Sequence, residues 1–206
     1  MSASAHAETN ARLFARELTA RAELFRLCAD DLATEASELA RRVLEILQGG
    51  GTLYFCGNGG SAADSQHLAA EYVVRFARER AALPAVALTT DTSILTAGGN
   101  DFGFESVFRR QVEALARPGD LLILHSTSGN SPNLLEAAEA ARAEGVATVA
   151  LLAKGGGRLR ERVDFAVVVP TDETARAQEV HLALQHIVCE VVDRAMAGDP
   201  RPSEAP

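Results

Sequence analysis

The chain has 206 residues, 47% of them hydrophobic, which suits one domain with a sizeable core, and a formal charge of −8 from 28 acidic against 20 basic residues. That balance excludes general electrostatic adhesion to nucleic acid or anionic lipid, so any phosphate has to be captured locally, by backbone N–H groups at loops and helix ends. No window approaches the roughly 18 uninterrupted apolar residues of a membrane span.

The first stretch, "MSASAHAETNARLFARELTARAELF", has no basic patch leading into an apolar core and a cleavage site, so it does not read as a signal peptide. Cys28, Cys56 and Cys189 have no CxxC spacing, which fits three reduced thiols and neither a disulfide framework nor a zinc ribbon. The expectation is a single cytoplasmic domain over 1–206.

Within 8–48 two helical segments follow one another, rich in Ala, Leu, Glu and Arg. In the second, Leu32, Ala36, Leu39, Val43 and Ile46 recur at three- and four-residue steps and form an apolar stripe, which Gly49, Gly50 and Gly51 bring to an end. From Thr52 onward short β-rich runs alternate with helical ones, the pattern of an α/β domain with a mainly parallel sheet. Strands are expected at "TLYFC", "AVALT", "LLILH", "ATVALL" and "FAVVV", and helices at 61–77, 104–116, 132–144 and 174–196. Five strands make a small doubly wound, three-layer sheet. The tail 197–206, "AGDPRPSEAP", is polar and Pro-rich and is expected to fray. The apolar stripes of the first two helices and the last exceed what a five-strand sheet can cover, which predicts self-association.

Two stretches echo each other as strand, small-residue loop and helix: "LYFCGNGGSAADSQHLA" and "LILHSTSGNSPNLLEAA". Ligands of open α/β sheets sit beyond the carboxyl ends of the strands, so both loops could face one crevice. In the second, Ser126, Thr127, Ser128 and Ser131 offer hydroxyls at a positive helix end opened by Pro132, which suits a phosphate monoester. An ordinary turn with an N-cap serine is the rival reading, and the density of hydroxyls favours the first. The "GNGGS" of residues 57–61 is neither GxGxxG nor GxxxxGK[ST]. Its glycines either let the backbone approach a ligand, with Asn58 and Ser61 as polar contacts, or make a tight turn.

His67 and Glu71 are spaced i,i+4 on one helical face, about 6 Å apart along the axis, and could share a metal ion, although HxxxE alone is a weak signal. Arg75 extends the same face with a cation for a substrate oxygen or for Glu71. In the last helix, "RAQEVHLALQHIVCEVV", two imidazoles are unusual in so apolar a context. Gln178 and His186 are about 12 Å apart along an ideal helix. One ion reaches both only if it sits midway; otherwise they serve in different subunits. His181, with Gln185, is the competing candidate, or else a satisfied interface histidine.

Together "CGNGGSAADSQHLAAE", "LPAVALTTDTSILTAGGNDFGFE", "HSTSGNSPN" and "RAQEVHLALQHIVC" resemble the sedoheptulose 7-phosphate isomerase family of the sugar isomerase (SIS) fold, over most of the chain from Gly49 to Arg194. The resemblance implies a homotetramer whose N- and C-terminal helices form a central bundle, with active sites at subunit interfaces. It implies one Zn2+ per subunit, held by His67, Glu71, Gln178 and His186. Ser126, Thr127, Ser128 and Ser131 would bind the phosphate of a sugar-phosphate substrate, and Asn58, Gly59, Ser61, Arg75, Asp91, Thr92, Asp101 and Gln178 would contact the sugar.

The reaction implied is aldose–ketose isomerisation of sedoheptulose 7-phosphate to D-glycero-D-manno-heptose 7-phosphate through an enediol, the first step toward nucleotide-activated heptoses. Glu71 would be the base at carbon and His186 the complementary acid/base. A carboxylate held tightly by zinc is a poorer base, so Glu71 has to bind it through one oxygen or loosen during turnover. Two rivals keep the fold without the reaction: a tetramer associating with the replication initiator DnaA, and a sugar-phosphate-sensing module. Neither needs a paired Glu and His.

Overall fold

The computed structural model describes residues 3–197, with side chains from residue 9 onward. The expected fraying of the tail lies, past Ala197, outside the described residues. Two helices open the chain, α1 (Ala3–Asp31) and α2 (Ala33–Gln48), separated by Leu32 alone. The bonds Leu32 N–H to Cys28 O and Ala36 N–H to Leu32 O carry the backbone across that joint. The predicted stripe of α2 faces inward: Leu39 and Val43 are fully buried, and Ala36 and Ile46 pack against the same cluster. The glycine triplet stops α2 with Gly50 N–H on Leu47 O and Gly51 N–H on Ile46 O, a paired C-terminal cap.

The strands are β1 (Leu53–Gly57), β2 (Ala85–Ala87), β3 (Leu121–Ser126), β4 (Ala147–Leu152) and β5 (Phe165–Val168). All pair in parallel, in the order β2-β1-β3-β4-β5. Leu53, Phe55, Leu121, Ile123, Val149 and Leu151 point to one face, covered by α1, α2, α3 (Gly60–Val73) and α7 (Thr174–Met196). Tyr54, Cys56, Leu122, Leu124, Ala150 and Leu152 point to the other, covered by α5 (Arg109–Leu115) and α6 (Pro132–Ala143). Both faces are therefore dry, which is why these strands read as continuous apolar runs. All three cysteines are buried and free.

Three expectations change. The helix anticipated at 61–77 is α3, which stops at Val73 with Val74 as its C-cap. The helix anticipated at 104–116 is a single 3-10 turn at Phe104–Ser106 followed by α5. The segment "TSILTAGGNDF" is a helix, α4 (Thr92–Phe102), with Asp91 as its N-cap accepting from Ile94 N–H at 3.0 Å. Gly98 and Gly99 lower helix propensity and α4 buries none of its residues, so neither composition nor periodicity marks it. Among the described residues no helix is long and apolar enough to cross a membrane.

Candidate active site

The strand order reverses between β1 and β3, and Gly57 is in register with His125 at their carboxyl ends. This is the switch point where an open α/β sheet leaves a crevice. The two loops singled out in the sequence leave the sheet there side by side. Their amides join them: Asn58 Nδ2 donates to Asn133 Oδ1 at 2.9 Å, and Asn133 Nδ2 donates back to Asn58 Oδ1 at 2.8 Å. Asn58 thus fastens one loop to the other, a role the sequence could not show because its partner lies 75 residues away.

Between the loops lies a cleft of about 460 Å³ lined by Asn58, Gly59, Gly60, Ser61, His125, Ser126, Thr127, Ser128, Ser131, Thr174 and Gln178. Its walls include the first residues of α3, the N-cap residue of α6 and the first residue of α7. Each helix start carries about half a positive elementary charge and outward-facing N–H groups. No Lys or Arg lines the cleft, so the field that favours an anion there comes from backbone and hydroxyls. Ser131 stands at the N-cap position of α6, with Pro132 in the first turn, yet its side chain makes no capping bond. The capping reading accounts for where Ser131 sits and leaves its hydroxyl for a ligand.

The serine loop is held in shape from within. Ser126 Oγ accepts from Gly129 N–H at 3.0 Å and Ser128 Oγ from Asn130 N–H at 3.2 Å. Gly129 has φ 63°, and a Cβ there would meet Gly156 O at 1.8 Å, so only glycine allows the turn. On the facing side, a Cβ on Gly60 would strike the Gln178 amide at 2.7 Å, and Gln178 Nε2 donates to Ser61 Oγ at 3.4 Å.

Helices α3 and α7 run side by side: Gly60 meets Gln178, and His67 meets His186. Two turns along α3 from the cleft, His67 Nε2 lies 2.8 Å from His186 Nε2 and 3.4 Å from Glu71 Oε1. One of these two facing nitrogens has to carry a hydrogen and the other a lone pair. The Phe76 ring packs on His186 with centroids 5.4 Å apart. Burial, helped by neighbouring His67 and opposed by Glu71, lowers the pKa of His186 below the ordinary imidazole value.

The donor set fits zinc in kind, with two imidazole nitrogens and a carboxylate oxygen on one face. In a single chain it does not close: among the described residues no group of three or more His, Cys, Asp or Glu side chains is arranged to hold a metal ion. The 2.8 Å separation is also shorter than the about 3.3 Å edge of a tetrahedral zinc site. Gln178 turns to the cleft and away from the imidazoles, which leaves the alternative of ligands from different subunits.

The remaining predicted residues lie elsewhere. Arg75 pairs loosely with Glu79 at 3.9 Å and not with Glu71. Asp91, Thr92 and Asp101 belong to exposed α4 or its cap, and Asp101 accepts from Asn100 at 2.7 Å. None of these four lines the cleft. Sequence reasoning missed His125, Thr174 and Asn133. Thr174 carried no motif, whereas His125 opens and Asn133 closes the "HSTSGNSPN" stretch. His181 is buried and bonds Leu152 O through Nε2 at 3.0 Å, so it is held in the core.

The chain matches the SIS domain family over residues 6–153, which takes in both loops, His67 and Glu71 and stops short of α7. It is 53% identical over 180 residues to the phosphoheptose isomerase of Roseiflexus sp. (strain RS-1), covering 87% of this chain and 91% of that one. Among solved structures, the phosphoheptose isomerase GmhA from Neisseria gonorrhoeae aligns with a TM-score of 0.83 at 41% identity, over 88% of this chain and 97% of that one. A phosphoheptose isomerase from Francisella tularensis aligns with a TM-score of 0.87 at 32% identity, over 90% and 98%. Identity at this level over nearly the whole of each relative, together with a shared fold, makes this chain a member of the phosphoheptose isomerase family of SIS-domain proteins.

Proposed function

We infer that the protein is an aldose–ketose isomerase that converts sedoheptulose 7-phosphate to D-glycero-D-manno-heptose 7-phosphate through an enediol. The observation that carries this is one helix pair holding an anion cleft at its start and an acid/base pair two turns on. The names of the relatives, phosphoheptose isomerases, support a phosphorylated heptose as the sugar. The non-catalytic readings are not favoured.

In this reading the helix starts and the hydroxyls of Ser126, Thr127, Ser128 and Ser131 bind the phosphate. Glu71 removes a proton from C1 of the ketose. His186 gives a proton to O2, which yields the enediol, and takes one back from O1 as the enediol collapses. Glu71 then returns its proton at C2 to give the aldose. His67, Glu71, Gln178 and His186, drawn from more than one copy of the chain, would hold a zinc ion. When bound, that ion supplies Lewis-acid stabilisation of charge developing on the substrate oxygens, by several kcal/mol.

An apolar groove of about 650 Å³ between α1, α2 and α7, with Phe25, Ile187 and Val191 exposed, supports the proposal of a homotetramer with interfacial sites. The working location proposed is the cytoplasm. NMR of the protein with sedoheptulose 7-phosphate in deuterated water tests the reaction: aldose should appear with deuterium at C2, and absence of conversion overturns it. Elemental analysis should find one zinc per chain, with turnover lost on chelation and restored by zinc. Light scattering should give a tetramer mass; a monomer at micromolar concentration would sink the assembly.

A further inference from the structure

We propose that Arg80 and Asp193 are positioning residues that hold the backbone of Glu71 against the helix carrying His186. This rests on the assignment of Glu71 as the base. Helix α3 ends at Val73, only two residues past Glu71, so the carbonyls of Glu71 and Tyr72 belong to the last turn, where helix bonds run out. Arg80 returns to meet them: Nη2 donates to Glu71 O at 2.8 Å and Nη1 to Tyr72 O at 2.9 Å. A guanidinium there satisfies the Glu71 carbonyl, shares the Tyr72 carbonyl with Leu83 N–H at 3.1 Å, and complements the negative helix end.

The same guanidinium reaches α7. Arg80 Nε donates to Asp193 Oδ1 at 2.6 Å, and Asp193 Oδ2 accepts from Ala77 N–H at 2.7 Å and Arg78 N–H at 2.9 Å. The two side chains are 1% and 0% exposed, so neither charge has water as an alternative partner. Asp193 lies two turns beyond His186 on α7. The loop amides it binds follow directly on Phe76, whose ring packs on His186. One buried ion pair therefore ties the end of α3, the ring against His186 and α7 itself into a single unit. A pair that merely closed the loop would not need its fork aimed at the carbonyl of Glu71.

The variants Asp193→Asn and Arg80→Lys test this. Asp193→Asn keeps the shape and removes the charge. Arg80→Lys keeps the charge and cannot reach both carbonyls and the carboxylate together. For sedoheptulose 7-phosphate, kcat should fall about tenfold or more, as a displaced catalytic group causes, with KM and the inhibition constant of inorganic phosphate within about threefold. In a Glu71→Gln background the same changes should lower the residual rate by less than about twofold, because the group they position is gone. Should Asp193→Asn fail to fold, Arg80→Lys decides. Folded variants with parent-like kcat, phosphate binding weakened in step with turnover, or equal losses with and without Glu71 would overturn the inference. A near-parent rate in Glu71→Gln alone would remove the base assignment and the inference with it. A fall in Glu71→Gln beside a parent-like Asp193→Asn removes only the positioning role.

Discussion

The two ends of the α3–α7 pair do different work with different materials. At the amino-terminal end the cleft is built from helix starts, hydroxyls and glycines, with no Lys, Arg, Asp or Glu in its lining. Toward the carboxyl-terminal end the same two helices carry His67, Glu71, His186 and Asp193, with Arg80 reaching them from the loop after α3. Fixed dipoles hold an anion with little dependence on pH and need no counter-charge that would have to be desolvated. Proton transfer requires groups that change charge, and these depend on their neighbours for orientation. Binding and chemistry should therefore separate under mutation.

The largest separation is expected for Glu71→Gln, which keeps length and polarity and loses the base. Turnover should fall by about a hundredfold or more while inorganic phosphate still binds. Zinc has to be measured alongside, since loss of metal would mimic loss of the base. Next comes Gly129→Ala, which asks a residue with φ 63° to carry a Cβ into Gly156 O. It should cost about 1–3 kcal/mol of stability, read by thermal unfolding, and weaken phosphate inhibition.

The core beneath the cleft supplies a pH test. Burial, with His181 adding to it, holds His125 at about 3, and burial opposed by the bond to Leu152 O holds His181 at about 4, both lowered from 6.5. The unfolded chain binds these protons below 6.5 and the folded chain does not. Their contribution is thus fully present above that pH and is lost as pH falls toward 4. Urea unfolding between pH 6 and 5 should show about 1.4 kcal/mol per pH unit for each histidine, and His125→Leu should remove one such increment from the slope. The smallest effect is expected at the cleft itself. Ser131→Ala removes one hydroxyl donor to the phosphate, and in the open cleft water takes its place, so the net loss is about 1 kcal/mol and KM should rise about fivefold with kcat unchanged.

Most of the fold was legible because its signals are local. The strand runs, the stop after α2 and the starts of α3, α6 and α7 follow from apolar periodicity, glycine placement and Pro132. Helix α4 was not legible, since an exposed helix with two central glycines has neither stripe nor propensity. Within the site, the serine loop showed itself through composition. Asn58 and Gln178 were named as ligand contacts, yet their partners in the fold, Asn133 and Gly60 with Ser61, come from distant stretches.

What the sequence determined by itself is the set of pieces: five strands, two hydroxyl- and glycine-rich loops, and histidines and a carboxylate at helical spacing. Each rests on interactions within a few residues, where φ/ψ preference and side-chain period decide the outcome. The tertiary structure alone decided that β1 and β3 are neighbours, so that the loops share one cleft. It also set α3 beside α7, so that His67 meets His186 across 119 residues and Arg80 meets Asp193 across 113. No local rule specifies such pairs, because they follow from the order in which strands pack around a common core.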